Sequence, residues 1–329
     1  MSSANAIAPL KAVLALQKPE PLARQKGELC RRLGDIAPGA NVICAGSSAD
    51  VPEGAEVDAV IAPGLPWLPD ALRRIRGPAW LHLLSAGADS LADMDYPFGD
   101  LVVTKSAGVH GPAMSEFAIG AMLYLEKQLG RFRAQQSRRA WERAWLGELT
   151  GKTLAIVGLG AVGSCLAKRA KAFDMRCVGV ARTMRPTEGI DEVYQTAELP
   201  KALAQANYVV LALPLTAETR GLVDKNTLAD MKPGAGLIDL SRGGIVVERD
   251  LASALESGHL SGAVLDVFER EPLPESSPLW DLENVLITPH VAGTTPHYLQ
   301  RALDIFAQNY VALRAGRGPV TPVDLAAGY

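Results

Sequence analysis

Residues 152–163 read Lys152-Thr-Leu-Ala-Ile-Val-Gly158-Leu-Gly160-Ala-Val-Gly163, and the segment after them, Ser164-Cys-Leu-Ala-Lys-Arg-Ala-Lys-Ala-Phe173, has a helical pattern. An apolar run of strand length therefore enters a G-x-G-x-x-G turn that opens a helix. In such a turn the first glycine permits the tight bend, the second lets the backbone approach a pyrophosphate, and the third lets helix pack on strand. Amides at the helix start then hold the phosphates. The strand before and the helix after separate a dinucleotide site from a chance match of glycines.

Short apolar runs alternate with helix-length amphipathic segments on both sides of this turn. Candidate strands ahead of it are Val13–Leu16, Val42–Ala45, Ala59–Ile61, Trp80–Leu84 and Leu101–Thr104. From the turn onward come Thr153–Val157, Arg176–Val180, Tyr208–Leu213, Gly236–Leu240, Gly262–Val267 and Val285–Thr288. Continuous apolar runs bounded by Gly, Pro or charge suit parallel strands covered on both faces. Their alternation with helices predicts doubly wound α/β sheets. So many strands exceed one compact open sheet, and a dinucleotide unit places its first strand just before the glycine turn, at Thr153. The earlier strands therefore belong to a different, smaller domain. Between the two groups, Pro112 to about Leu129 is rich in Ala, Met and Leu and predicts a long helix with Pro in its first turn. Either a connector between domains or a core helix fits that composition.

A chain of 329 residues is long enough for two domains, each with its own core. With 48% hydrophobic and 21% charged residues and a formal net charge of −3, nothing points to a nucleic-acid or membrane partner. Cys30, Cys44, Cys165 and Cys177 form no CxxC pair and have no nearby His at metal-ligand spacing, so no metal is expected and the thiols suit a reducing compartment. The apolar stretch Ala6 to Leu16 is interrupted by Pro9 and Lys11 and lacks a preceding basic segment, so it is read as neither secretion signal nor membrane span. A cytoplasmic protein is the expectation.

An NAD-selecting fold carries Asp or Glu at the end of its second strand, to accept from the ribose hydroxyls. Here Arg176-Cys-Val-Gly-Val180 is followed by Ala181-Arg182-Thr183-Met-Arg185. The acid is missing, and guanidinium groups that pair with a 2′-phosphate stand in its place. The expectation is NADP(H) preferred, with NAD(H) possible. Three polar residues then follow predicted strands in succession. Arg242 comes after Gly236–Leu240, Glu271 after Gly262–Val267 and His290 after Val285–Thr288. Strand carboxyl ends line the ligand crevice of an open α/β sheet. Arg242 can clamp a carboxylate and polarise a neighbouring keto oxygen. His290, one of five histidines, can protonate that oxygen as hydride reaches carbon, and Glu271 can fix its tautomer.

These residues resemble the D-isomer-specific 2-hydroxyacid dehydrogenase family, in particular its NADP-type glyoxylate/hydroxypyruvate reductases. The similarity covers nearly the whole chain. Besides the glycine turn it is carried by Leu211-Ala-Leu-Pro-Leu-Thr-Ala-Glu-Thr-Arg-Gly-Leu222, Met231-Lys-Pro-Gly234, Ser241-Arg-Gly-Gly244, Leu265-Asp-Val-Phe-Glu-Arg-Glu-Pro272 and Pro289-His-Val-Ala-Gly293. The resemblance implies two Rossmann-like doubly wound domains. A flavodoxin-like substrate domain, 1–108 with 295–329, would be split by an inserted NAD(P)-binding Rossmann domain, 109–294. Arg242, Glu271 and His290 are implied as the catalytic set. Gly158, Leu159, Gly160, Ala161, Val162, Arg182, Thr183, Arg185, Leu213, Pro214, Thr219, Leu240, Ser241, Asp266, His290 and Gly293 are implied at the cofactor, with Asp266 toward the nicotinamide carboxamide.

Ser85-Ala-Gly-Ala-Asp89 is similar to the family's glycine-rich turn, with Ser85 where the first glycine usually stands. It implies that Ala86, Gly87 and Ala88 receive the substrate carboxylate together with Arg242 and His290. A homodimer is implied, as is domain closure that excludes water. Leu65-Pro-Trp67-Leu68 could wall the pocket, and Trp141 or Trp145 could reach in from a partner subunit. The expected reaction is NADPH-dependent reduction of a 2-keto acid to a D-2-hydroxy acid. The alternative is an NAD(P)-sensing binding protein of the corepressor type, against which the lack of charged or disordered tails argues. Formate and phosphite dehydrogenases share the scaffold but favour NAD.

Overall fold

The apolar runs become two parallel sheets with different strand orders. The computed structural model describes residues 6–91 and 94–325. The first stretch holds β1 (Ala12–Leu16), α1 (Pro19–Ile36), β2 (Asn41–Ala45), β3 (Ala55–Glu56), β4 (Ala59–Ala62), α2 (Leu68–Arg74), β5 (Ile75–Arg76), β6 (Trp80–Leu83) and β7 (Val102–Lys105). Five of these strands form a parallel sheet in the order β2-β1-β4-β6-β7, while β3 and β5 pair separately. Counted along the chain, the larger sheet has the flavodoxin-like order 2-1-3-4-5.

From His110 the chain builds α3 (Gly111–Glu126), α4 (Leu129–Arg138), β8 (Thr153–Val157), α5 (Ala161–Ala170), β9 (Arg176–Ala181), β10 (Glu192–Gln195) and α6 (Leu199–Leu203). Then come β11 (Tyr208–Leu211), α7 (Lys225–Ala229), β12 (Gly236–Asp239), α8 (Glu248–Glu256), β13 (Gly262–Leu265) and β14 (Val285–Ile287). Their seven-stranded order, β10-β9-β8-β11-β12-β13-β14, is the Rossmann order with one strand added at an edge. The last helix, α9 (Tyr298–Arg314), belongs to the first sheet. One compact unit thus runs to Val109 and resumes at Thr295, and the other is His110–Thr294. Among the described residues no helix is long and apolar enough to cross a membrane.

Successive side chains of a strand point to opposite faces, and both faces of each sheet are covered. In the larger unit Leu154 and Ile156 pack with α3 and α5, whereas Ala155 and Val157 pack with Leu203, Leu228 and Leu251 from α6, α7 and α8. In the smaller unit Leu14 and Leu16 meet Leu68 and Leu72 of α2. Val13 and Ala15 meet Leu29 and Leu33 of α1 and Leu303 and Phe306 of α9. Phe306 stacks on Trp80 with ring centroids 4.4 Å apart, and both are fully buried.

Three features depart from the sequence reading. The long helix ends at Glu126, and Gln128 in left-handed conformation (φ 50°) turns the chain into α4. Buried Glu126 marks the stop by bonding Lys152 Nζ at 2.6 Å and the Tyr208 hydroxyl. Ala118, Ile119 and Met122 sit in the core beside Leu154, so α3 is a core helix of the larger unit. Strand β10 escapes the apolar pattern because Glu192-Val-Tyr-Gln195 is an edge strand with polar ends. Strands β11, β12 and β13 stop a residue or two early, at Leu211, Asp239 and Leu265, which releases the residues after them into loops at the carboxyl edge.

If α9 completes the first core as its packing indicates, Phe306→Ala lowers stability by roughly 3–5 kcal/mol. Denaturant unfolding checks this, and an unshifted midpoint would remove α9 from that core.

Candidate active site

The glycine turn is shaped by what its neighbours leave no room for. Gly158 (φ 109°) follows β8, and a Cβ there would lie 2.4 Å from the Ala212 carbonyl oxygen and 3.1 Å from the Leu213 side chain. A Cβ on Gly163 would lie 2.1 Å from the Gly158 carbonyl oxygen, so only glycine lets α5 start this close to the strand. At Gly160, the residue capping α5, a Cβ would meet nothing within 4 Å. Close packing behind and open space in front, beside the exposed Gly160 and Ala161, is the shape a pyrophosphate needs. Leu159 instead points inward and fills the space over Gly179, where a Cβ would come within 2.6 Å of it.

Arg182, Thr183 and Arg185 lie exposed just past β9. Arg185 donates to the Leu159 carbonyl at 3.0 Å, which ties the basic loop to the glycine turn. Leu213 and Pro214 lie past β11, where the Thr219 hydroxyl donates to the Pro214 carbonyl at 2.7 Å and closes the loop.

Arg242, Glu271 and His290 stand on three adjoining loops of the same edge. His290 Nδ1 is 2.9 Å from Glu271 Oε2, and the other carboxylate oxygen of Glu271 accepts from the Phe268 amide at 3.1 Å. Arg242 is exposed and donates to the Ser241 carbonyl at 2.8 Å. A Cβ on Gly243 would lie 1.7 Å from the Phe268 carbonyl oxygen, so the loop after Arg242 rests directly on the loop that holds Glu271. His290 is left-handed (φ 53°), a region disfavoured for a residue with a side chain. Buried Asp266 holds that turn, accepting from the Thr288 hydroxyl and from the amides of Val291 (2.9 Å) and Ala292 (2.8 Å). Leu240 and Ser241 are buried beneath the Arg242 turn.

In the smaller unit, Ser85–Ala88 follows β6 at its carboxyl end. The Ser85 hydroxyl donates to the Gly87 carbonyl at 2.7 Å, so the serine in the usual glycine position braces the turn. Beneath it His82 is fully buried between Thr104 Oγ1 (2.7 Å) and Ser106 Oγ (3.1 Å). Burial pushes its imidazole down to about 3, which keeps it neutral.

Sequence reasoning overlooked His110. It caps α3, and Nδ1 lies 3.3 Å from the Gly293 carbonyl oxygen. A Cβ on Gly293 would come 2.7 Å from the same atom. Burial lowers the His110 pKa against the Gly293 contact, and the charges of Arg242 and His290 lower it further. The only sequence signal was His110 preceding Gly111-Pro112 at a helix start. Among the described residues no group of His, Cys, Asp or Glu could hold a metal ion.

An imidazole held by a carboxylate at the same sheet edge as a dinucleotide turn is the equipment of an NAD(P)-dependent oxidoreductase acting on a CH–OH group. Residues 119–292 match the family model for the D-isomer specific 2-hydroxyacid dehydrogenase, NAD binding domain. The chain belongs to the D-isomer specific 2-hydroxyacid dehydrogenase family.

Solved structures agree along nearly the full length. A D-isomer specific 2-hydroxyacid dehydrogenase family protein from Aeromonas salmonicida is 34% identical with a TM-score of 0.79, over 96% of this chain and 99% of that one. The NADPH-dependent glyoxylate/hydroxypyruvate reductase of Sinorhizobium meliloti, in complex with NADP and sulfate, is 27% identical with a TM-score of 0.80, over 97% and 99%. A D-isomer specific 2-hydroxyacid dehydrogenase from Xanthobacter autotrophicus, in complex with NADPH and MES, is 29% identical with a TM-score of 0.81, over 96% and 99%.

Gly163→Val drives a side chain into the Gly158 carbonyl, so nicotinamide-dinucleotide affinity is expected to fall by at least about tenfold in a fluorescence titration. Unchanged affinity in a folded variant would show that the turn is not the phosphate site.

Proposed function

We propose that this protein reduces a small 2-keto acid to the D-2-hydroxy acid with NADPH, and that glyoxylate, hydroxypyruvate or a related 2-keto acid is the substrate. The observation that carries the reading is the 2.9 Å contact between Glu271 and His290, which follow the third and fourth strands from the glycine turn on one sheet edge. NADPH in preference to NADH is supported by Arg182 and Arg185 standing where an acid would select NAD. The Sinorhizobium and Xanthobacter relatives, solved with NADP and NADPH, point the same way.

In this mechanism bound NADPH supplies hydride to the keto carbon. Arg242 pairs with the substrate carboxylate and orients the neighbouring carbonyl. In the smaller unit the turn Ala86-Gly87-Ala88 is proposed as a carboxylate-binding turn. Glu271, fixed through the Phe268 amide, accepts from His290 Nδ1–H. That leaves Nε2 to carry the proton given to the keto oxygen. In the oxidative direction His290 takes the proton back. On the cofactor side the reading assigns Gly158–Val162, Arg182, Thr183 and Arg185, Leu213, Pro214 and Thr219, and Leu240, Ser241, Asp266 and Gly293.

The proposed assembly is a homodimer. Trp141 and Trp145 are 95% and 98% exposed on one stretch, an apolar area that a second copy would cover. The proposed compartment is the cytoplasm, which suits four free cysteines.

Steady-state assays with glyoxylate, hydroxypyruvate and larger 2-keto acids, each with both cofactors, test the reading. Failure to oxidise NADPH with any 2-keto acid would end it. Arg182→Asp is expected to raise KM for NADPH by at least about tenfold while changing that for NADH little, since a charge-assisted phosphate contact becomes a repulsion. Equal losses would take the loop away from the 2′-phosphate. His290→Ala is expected to lower kcat by a factor on the order of 100 or more with NADPH binding retained. Turnover near the original would remove His290 from proton transfer.

A further inference from the structure

The turn that carries Arg242 is fixed from beneath by an acid that the reaction does not use. Asp239 ends β12 and is 2% exposed. Its Oδ1 accepts from the Ser241 backbone amide at 2.9 Å and also from the Ser241 hydroxyl. Ser241 in turn accepts from Arg242 through its carbonyl at 2.8 Å. The charges that bear on the Asp239 carboxyl come from Asp266, past the end of β13, and from Glu248, at the start of α8. Both are acids.

We propose that Asp239 is a positioning residue that works as a neutral carboxylic acid, one oxygen fixing Ser241 and through it the start of the Arg242 turn. Burial pushes this carboxyl up to about 7. The two Ser241 bonds oppose that rise, and Asp266 and Glu248 add to it. A neutral acid of this kind has the shape of an asparagine: a carbonyl-like oxygen takes both Ser241 donors, and the second position carries hydrogen.

The protonation has a thermodynamic signature. Between its ordinary value of 3.8 and about 7, the folded protein holds a proton on Asp239 that the unfolded chain has lost. Asp239 therefore lowers stability progressively as pH rises through that window, and the loss is complete above it. Asn at this position has no such dependence.

The inference rests on Arg242 being the substrate clamp, and the experiment keeps the two apart. Melting temperatures of the wild type, Asp239→Asn and Asp239→Ala are measured from pH 4.5 to pH 8, together with KM for the 2-keto acid in these proteins and in Arg242→Ala. The gap between Asp239→Asn and the wild type is expected to widen in favour of the variant by at least about 3 °C between the two ends. At pH 6 Asp239→Asn is expected to keep KM within about twofold, while Asp239→Ala, which removes the acceptor for both Ser241 groups, raises it about tenfold. Parallel melting curves would overturn the neutral acid, and so would a KM in Asp239→Asn as poor as in Asp239→Ala. Should Asp239→Ala fail to fold, the Asn variant decides both points. An unchanged KM in Arg242→Ala overturns the clamp alone, and the melting curves still report the state of Asp239.

Discussion

How closely the loops after β12 and β13 approach each other governs the whole carboxyl edge of the larger sheet. At Gly243 a Cβ would lie 1.7 Å from the Phe268 carbonyl oxygen, so these loops touch backbone to backbone. Any side chain at 243 would force them apart by more than an ångström. Because Phe268 also donates to Glu271, and Glu271 meets His290, such a displacement would pass from one loop to the next. The Glu269 amide donates to Glu248 at 2.6 Å and continues the same seam along the start of α8. The arrangement of guanidinium, carboxylate and imidazole is thus a packing result before it is a chemical one.

The strain in the His290 backbone belongs to the same economy. A left-handed residue with a side chain costs about 1–3 kcal/mol and persists only when its surroundings impose it. Asp266 imposes it by gathering the Thr288 hydroxyl and the Val291 and Ala292 amides onto one buried carboxyl. Hydrogen bonds to charged acceptors contribute about 1.5–3 kcal/mol each, enough to offset the conformational cost. The imidazole is consequently held toward Glu271, an orientation that the proposed reaction would not have to create.

The sheets were legible because parallel strands buried on both faces leave an unbroken apolar run, as in Thr153–Val157 and Tyr208–Leu211. Strand β10 broke that rule by lying at an edge, and the stop of α3 at Glu126 depends on Lys152 and Tyr208, which are remote in sequence. At the site, Arg242, Glu271 and His290 could be chosen because each follows a strand, and a strand's carboxyl end has a fixed meaning in this architecture. What holds them could not be chosen in that way. Gly243, His110 and Asp239 act through backbone contact, through a neighbouring loop and through burial, and none of these leaves a spacing to read. Leu159 shows the converse: a residue within the motif whose side chain serves the core at Gly179.

His110 bears on how much positive charge this edge can hold. Arg242 is permanently cationic, and the role proposed for His290 requires that it carry a proton. A third cation alongside would oppose that protonation, since like charges within reach disfavour the charged form. His110 does not add one: burial lowers its pKa, Arg242 and His290 lower it further, and the Gly293 contact only partly compensates. Its Nδ1 contact with the Gly293 carbonyl at 3.3 Å, made possible because residue 293 is glycine, suits a neutral ring donating to a carbonyl. The edge is left with the fixed cation of Arg242 and, on the two loops beside it, the paired Glu271 and His290.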